Sequence, residues 1–292
     1  MEAISRLGVV GCGLMGSGIA EVAALRGIEV LVAEATPDAV RAGRRRLTAS
    51  LDRAVERGKI TGAERDAARS RLAFTHDLGD MADRQFVIEA VAENPAVKTD
   101  VIRTLDKAVA DPEAILATNT SSIPIVDLAV ATRRPDRVVG LHFFNPVPVQ
   151  RLVELIPALT TSTETLDRAR HLATAQLGKE AILASDQSGF VVNALLIPYL
   201  LAAVRMLESG VAAADDIDRG MELGCAHPMG PLRLLDLIGL DTAQAVARSM
   251  YEEFKEPLYA APALLRRMVA AGRLGRKSGR GFYDYAAPGV TA

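Results

Sequence analysis

Short apolar runs alternate with helical patterns over the first half of the chain. Leu7, Gly8, Val9 and Val10 form one such run, and a glycine turn at 11–16 follows it. Ile19, Ala20, Val22 and Ala23 then recur at helical spacing, Gly27 stops the helix, and residues 29–32 read as a second strand. Two parallel strands joined by a helix make a βαβ unit, whose crossover is right-handed almost without exception. Residues 38–71 are charged and helical, with Val40, Leu47, Leu51, Val55 and Ile60 spaced along them. Further strands are expected at 86–91, 115–118 and 138–141, between helical patterns around 97–109 and 125–132. A last strand at 152–156 follows the corner Pro146-Val147-Pro148. This alternation predicts a doubly wound α/β domain, a mainly parallel sheet with helices on both faces. Beyond Ser185 the text reads only as helices, at 190–209, 215–223, 231–251 and 262–271. The expected division is a domain over 1–184, with a helical insertion at about 38–71, and an all-helical domain over 185–292.

Composition narrows the function. The chain has 292 residues, with 34 Lys+Arg against 36 Asp+Glu and a formal net charge of -2. Without a basic excess, nucleic-acid binding over a wide electrostatic footprint loses its support. A 49% hydrophobic, 24% charged chain is that of a globular protein rather than a disordered one. Cys12 and Cys225 make no disulfide framework and no metal-ligand spacing, which fits a reducing cytoplasm and no bound metal. No targeting segment is visible at the N-terminus. The stretch 189–204 is short for a membrane span and contains Asn193 and Pro198, so a buried helix is the reading and no membrane is expected.

Gly11, Gly13 and Gly16 form G-x-G-x-x-G around Cys12, Leu14 and Met15. The pattern is weak alone. Here it follows a strand, opens a helix, and has Glu34 at the end of the next strand, the context of a Rossmann-like dinucleotide site. The first glycine permits the tight turn and the second lets a pyrophosphate approach the backbone. The third allows close helix–strand packing, while the helix N-terminus supplies N–H donors. Glu34 would accept hydrogen bonds from the adenosine ribose and repel a 2′-phosphate. Arg41, the next basic residue, is a full helix away, so NAD is favoured over NADP.

Several polar residues stand where packing alone would not choose them. Asn119-Thr120-Ser121-Ser122 follows a strand and so lies at the carboxyl edge of the sheet, where open α/β folds bind ligands. His142 ends the run Val138-Val139-Gly140-Leu141 at that same edge. Glu154 shares a strand face with Leu152 and Ile156, and a carboxylate there is expensive to bury without a partner. The intervening prolines allow a chain reversal that brings His142 and Glu154 together. A histidine by itself is more often a hydrogen-bonded structural group. Paired with a carboxylate that fixes its tautomer, beside a dinucleotide site, it becomes a candidate acid–base. Asn193, in an apolar run, also needs a partner. The arginines of 38–71 are either a solvated helical face or a basic face for an anionic ligand.

These segments resemble the L-3-hydroxyacyl-CoA dehydrogenase family, and most closely its bacterial 3-hydroxybutyryl-CoA branch of the actinobacterial type. The likeness runs through the glycine turn, Ile88-Glu89-Ala90-Val91, Asn119-Thr120-Ser121-Ser122 and Gly140-Leu141-His142-Phe143-Phe144-Asn145-Pro146-Val147-Pro148. It continues through Ser188-Gly189-Phe190-Val191-Val192-Asn193, His227-Pro228-Met229-Gly230-Pro231 and 275–283. The resemblance implies that His142 exchanges the 3-hydroxyl proton, that Glu154 orients it, and that Ser121 and Asn193 hold the substrate oxygen and acyl group. It implies cofactor contacts at Glu93, Lys98, Ser121, Asn145 and Lys277, and CoA contacts at Ser50 and Arg57. A homodimer formed through the C-terminal helices is implied as well. Glu34 stands where the family usually has Asp, Arg57 where Lys is commoner, and Pro95 is unusual near the cofactor edge. The same chemistry on 3-hydroxyadipyl-CoA, on a carrier-protein-bound acyl group or on gulonate is an alternative. So is a dinucleotide-binding redox sensor without turnover.

Overall fold

In the computed structural model, which describes residues 3–285, the glycine turn sits at the middle of a mixed sheet. Along the chain come β1 (Arg6–Val10), α1 (Leu14–Leu25), β2 (Glu29–Ala33), α2 (Pro37–Glu56), α3 (Gly62–Ser70) and β3 (Leu72–Thr75). Then follow β4 (Phe86–Glu89), α4 (Pro95–Ala108), β5 (Ile115–Thr118), α5 (Ile125–Ala129), β6 (Val138–Phe143), β7 (Leu152–Pro157), α6 (Thr163–His171) and β8 (Glu180–Leu183). The strands are ordered β3-β2-β1-β4-β5-β6-β7-β8. Every neighbouring pair is parallel except β6 and β7, which run antiparallel. The central strands are buried along their length, as a sheet covered on both faces requires, and Leu7, Val9, Phe86, Ile88, Ile115, Val139 and Leu141 supply the core.

The two strands that the sequence pattern does not announce, β3 and β8, are the two edges of this sheet. Each has four residues, and Ile182 and Leu183 of β8 are exposed. An edge strand buries less, so it need not carry the apolar run that marks a central one. Helix starts, by contrast, follow local chemistry. Thr36 caps α2 by accepting from the Ala39 N–H at 3.2 Å, with Pro37 in the first turn. Thr61 and Glu64 form a reciprocal capping box on α3. Asn94 caps α4, which gives Pro95 an ordinary place in a first turn, where its missing N–H costs nothing.

The chain divides into two units, Met1–Gln187 and Ser188–Ala292. The second is helical: α7 (Val192–Glu208), α8 (Ala214–Cys225), α9 (Pro231–Ile238), α10 (Leu240–Phe254) and α11 (Ala263–Ala270). Its core gathers Ile197, Leu200, Leu201, Val204, Leu232, Leu235, Met250 and Leu265. The single helix expected over 231–251 is two helices. Gly239, at φ +101°, breaks the run in a conformation that a side chain would strain. Asp236 and Asp218 then pin the following segment. Asp236 accepts from the Phe282 and Tyr283 amides at 2.9 and 3.0 Å, and Asp218 from the Tyr283 hydroxyl at 2.7 Å. Among the described residues no helix is long and apolar enough to cross a membrane.

The glycines of the first turn have separate jobs. Gly11 holds φ +90°, and a Cβ on Gly16 would stand 1.8 Å from the Gly11 carbonyl oxygen. A Cβ on Gly13 would meet nothing within 4 Å. Gly16→Ala should therefore lower the thermal midpoint by about 3–10 °C through overpacking against backbone, and Gly13→Ala by much less, in paired melts. Equal midpoints for the two variants would contradict this packing.

Candidate active site

The chemistry-bearing residues of the first unit collect at the carboxyl ends of β1, β2, β4, β5 and β6. After β1, Gly13 stands at the N-cap of α1 with no capping side chain, so the first-turn N–H groups of α1 face the space beyond the turn. That space is open at Gly13, where a ligand's phosphates would need backbone rather than a side chain. Leu14 is exposed at the helix start, and Met15 packs against the core. The turn fits a dinucleotide pyrophosphate.

Glu34, after β2, reaches back to this turn. Its Oε1 accepts from the Cys12 N–H at 2.6 Å. The Arg46 guanidinium donates to the Cys12 carbonyl, so Cys12 is held from both sides. The nearest basic group to the turn is thus Arg46 of α2, not Arg41 as sequence spacing suggests. Gly43 makes this approach close, since a Cβ there would lie 2.7 Å from Cys12 Cβ. Burial, and then the Glu34 charge, push the Cys12 thiol up to about 11, which keeps it a protonated packing group.

A second cluster joins β4, α4 and the loop after β5. Lys98, fully buried, donates to both carboxylate oxygens of Glu89, at 2.8 and 3.0 Å, and lies 3.4 Å from Glu93 Oε2. Glu89 also accepts from the Thr118 hydroxyl at 2.7 Å and the Val91 amide at 2.6 Å. Glu93 accepts from the Thr120 hydroxyl at 2.5 Å and the Ser121 amide at 2.9 Å, with the Ser121 and Ser122 hydroxyls at 3.3 and 3.2 Å. Partial burial opposes ionisation of Glu93. The Lys98 charge and these donors outweigh it, so its carboxyl sits below the usual carboxylate range. Lys98 therefore acts on the site by holding Glu93 and, through it, Ser121. Its own ammonium is enclosed.

The third cluster is the pair predicted from sequence. β6 and β7 pair in a register that sets His142 directly opposite Glu154. His142 Nδ1 and Glu154 Oε2 are 2.7 Å apart, and Glu154 is 0% exposed. The Phe144 ring lies tilted against the imidazole at 4.7 Å between centroids. Asn119 Oδ1 accepts from the Phe143 amide at 2.9 Å, tying the end of β6 to the loop that carries Ser121.

Ser50 and Arg57 come together at a cavity of about 220 Å³ lined also by Glu21, Arg53, Lys59 and Val149. Its far wall is the loop after β6, where Asn145 is exposed. Asn193 and Lys277 belong to the helical unit. Asn193 lies half-buried in the first turn of α7, and Lys277 pairs with Asp241 at 2.7 Å.

Sequence reasoning gave no role to Glu89 or Lys59; it marked Asn119 and Thr120 only as members of the polar turn after β5, and Arg53 only among the arginines of 38–71. For Glu89 the signal was present. It is a carboxylate closing the apolar run Phe86-Val87-Ile88, the same anomaly that marks Glu154.

Comparison with known proteins bears on the chemistry of these clusters. A family model described as the 3-hydroxyacyl-CoA dehydrogenase NAD binding domain matches residues 6–187, and that of the C-terminal domain matches 189–285. The 3-hydroxybutyryl-CoA dehydrogenase of Mycobacterium tuberculosis is 57% identical over 284 residues, 97% of this chain and 99% of that protein. The crystal structure of M. tuberculosis FadB2 superposes with a TM-score of 0.97 at 57% identity, covering 98% of this chain and 100% of that one. That of (S)-3-hydroxybutyryl-CoA dehydrogenase from Ralstonia eutropha gives 0.92 at 44% identity, again covering 98% and 100%. Glycine turn, buried His–Glu pair and near-complete alignment agree: the chain belongs to the 3-hydroxyacyl-CoA dehydrogenase family.

Proposed function

We propose that this enzyme interconverts L-3-hydroxybutyryl-CoA and acetoacetyl-CoA with NAD as the redox partner. The observation that carries the proposal is the His142–Glu154 contact at 2.7 Å on the strand edge that also presents the glycine turn. The nicotinamide of the bound dinucleotide supplies the acceptor for the C3 hydride. His142, with Nδ1–H donating to Glu154, takes the 3-hydroxyl proton at Nε2 as the C3–H bond breaks and the carbonyl forms. The Glu154 carboxylate fixes that tautomer and offsets the charge of the imidazolium. In reduction the same nitrogen returns the proton.

Ser121, held by Glu93, positions the substrate oxygen, and Asn193 supplies a side-chain amide to the acyl group. Glu93, Lys98, Asn145 and Lys277 serve the cofactor side, Lys98 through its grip on Glu93. Ser50 and Arg57 take the CoA carrier, in keeping with the cation-lined cavity they share. Glu34 disfavours a 2′-phosphate by like charge, so NAD is preferred to NADP. A reducing cytoplasm, where Cys12 and Cys225 remain thiols, is the compartment this reading implies.

A homodimer through the helical unit is part of the same proposal. Val191, Leu195 and Leu237 are exposed around an apolar hollow of about 580 Å³ that Tyr199 and His227 also line. An exposed apolar hollow rimmed by polar residues suits contact with another protein, and a second copy of this chain is the occupant proposed.

Three measurements test these statements. His142→Ala should lower kcat for acetoacetyl-CoA reduction by about 10²–10⁴-fold with NADH binding retained, and Glu154→Gln should lower kcat more than it changes KM. Unchanged turnover in His142→Ala removes the proposal. With NADPH in place of NADH, kcat/KM should fall at least about tenfold, the scale of one unfavourable charge contact. Leu195→Asp should shift the protein to monomers in sedimentation equilibrium while its helical content stays that of the parent.

A further inference from the structure

Glu89 takes no part in the reaction as set out above, yet the fold buries it completely at the carboxyl end of β4. Its Oε1 accepts from the Lys98 ammonium and the Val91 amide, and its Oε2 from the Lys98 ammonium and the Thr118 hydroxyl. Both oxygens accept in every one of these bonds, which is the pattern of an ionised carboxylate. Glu93 is a second carboxylate on the same ammonium, at 3.4 Å. Among the described residues, the ion pairs of Glu89, Lys98 and Glu93 are with one another. The hydroxyls of Thr118 and Thr120 and the amides of Val91 and Ser121 complete the shell, and such dipoles stabilise charge without cancelling it.

Two carboxylates on one ammonium leave one negative charge over. Holding a surplus charge partly out of water costs free energy unless a cation arrives to meet it. The arrangement also decides where the surplus lies. Lys98 bonds both oxygens of Glu89, at 2.8 and 3.0 Å, and its side chain is 1% exposed. It reaches Glu93 at longer range, and the Glu93 side chain is 35% exposed. The Lys98 charge is thus directed inward to Glu89, and the unbalanced charge stands outward at Glu93. In the reading above Glu93 is on the cofactor side. Of the two forms of that cofactor, only the oxidised one has a positively charged nicotinamide ring.

We propose that Glu89 tunes the enzyme's preference between oxidised and reduced cofactor: by engaging Lys98 it leaves Glu93 a net anion, which favours the positive ring of NAD+ over the neutral ring of NADH. The inference rests on the reading that puts Glu93 at the cofactor. Glu89 is a positioning residue, since it is enclosed and acts through Lys98. Without its charge, Lys98 answers Glu93 alone and the cluster is neutral. Pyrophosphate and adenosine are common to both forms, so the effect falls on the ratio of two affinities.

The test measures Kd for NADH from its fluorescence and Kd for NAD+ by displacement of NADH, at one pH and ionic strength, with a thermal melt on every variant. In Glu89→Gln the ratio of Kd for NAD+ to Kd for NADH should rise about three- to tenfold over the parent, the scale of one partly screened charge. The double variant Glu89→Gln, Lys98→Met loses one charge of each sign and so restores the net charge of the cluster. Its ratio should lie within about twofold of the parent's, the additivity error of independent changes. A merely structural Glu89 predicts the opposite order, with the double variant the more disturbed. An unmoved ratio in folded Glu89→Gln overturns the inference, and so does a double variant displaced as far as the single one. Should Glu89→Gln fail to fold, Glu93→Gln, which removes the surplus charge directly, is compared with the double variant. The first should raise the ratio and the second should not; any other pairing overturns the inference. If the parent binds neither NADH nor NAD+, the cofactor reading itself falls. If it binds both and only the ratio in Glu89→Gln stays unmoved, the role of Glu89 alone falls.

Discussion

The pairing of β6 with β7 is the constraint on which the site depends. It is the one antiparallel contact in an otherwise parallel sheet, and it alone sets His142 across from Glu154. In a parallel arrangement the strand after β6 would have to return through a crossover, and its side chains would meet β6 in a different register. The reversal is made by the short loop after Phe143. Because facing residues on paired strands lie within side-chain reach, the geometry of the acid–base pair follows from backbone hydrogen bonding rather than from two flexible side chains finding each other. The buried Glu154 then has its partner within the sheet itself, and the desolvation of the carboxylate is met where it arises.

Around this pair the sheet edge behaves as one polar framework. Asn119 ties the end of β6 to the loop after β5, Glu93 holds that loop, and Lys98 joins Glu93 to Glu89. Each member is partnered, Glu89 and Lys98 in the interior and Glu93 nearer the surface, which is the condition under which such a network stiffens a site instead of destabilising it. Helix α1 serves two ends of the unit. Its N-terminus opens onto the glycine turn, and Glu21, further along it, faces the cation-lined cavity.

Much of this was legible in the sequence, and the reasons differ by residue. Glu154 stood out because a carboxylate in an apolar run must be explained, and the glycine turn because its spacing is tied to a strand before and an acidic residue after. Glu89 carries the same mark as Glu154 but closes its run, where a polar residue reads as the strand's end. The edge strands β3 and β8 were silent because edges bury little. Gly239 was silent because a lone glycine within a helical pattern is often tolerated, and only its positive φ shows the break. Arg46 is invisible to any count along the chain, since Gly43 brings α2 onto Cys12 by packing alone. The cavity is drawn from α1, α2 and the loop after β6, and a linear reading shows its members without their meeting.

The loop from Phe144 to Arg151 answers to two requirements at once. It sets the register of β7, and it forms the apolar side of the cavity under the grip of Lys179. A strand's side chains alternate, so inserting or deleting a single residue here would bring Val153 or Leu155 opposite His142 and turn Glu154 to the other face. Such a change would also pull the loop's carbonyls away from the Lys179 ammonium. This stretch is therefore closed to change in length by single residues.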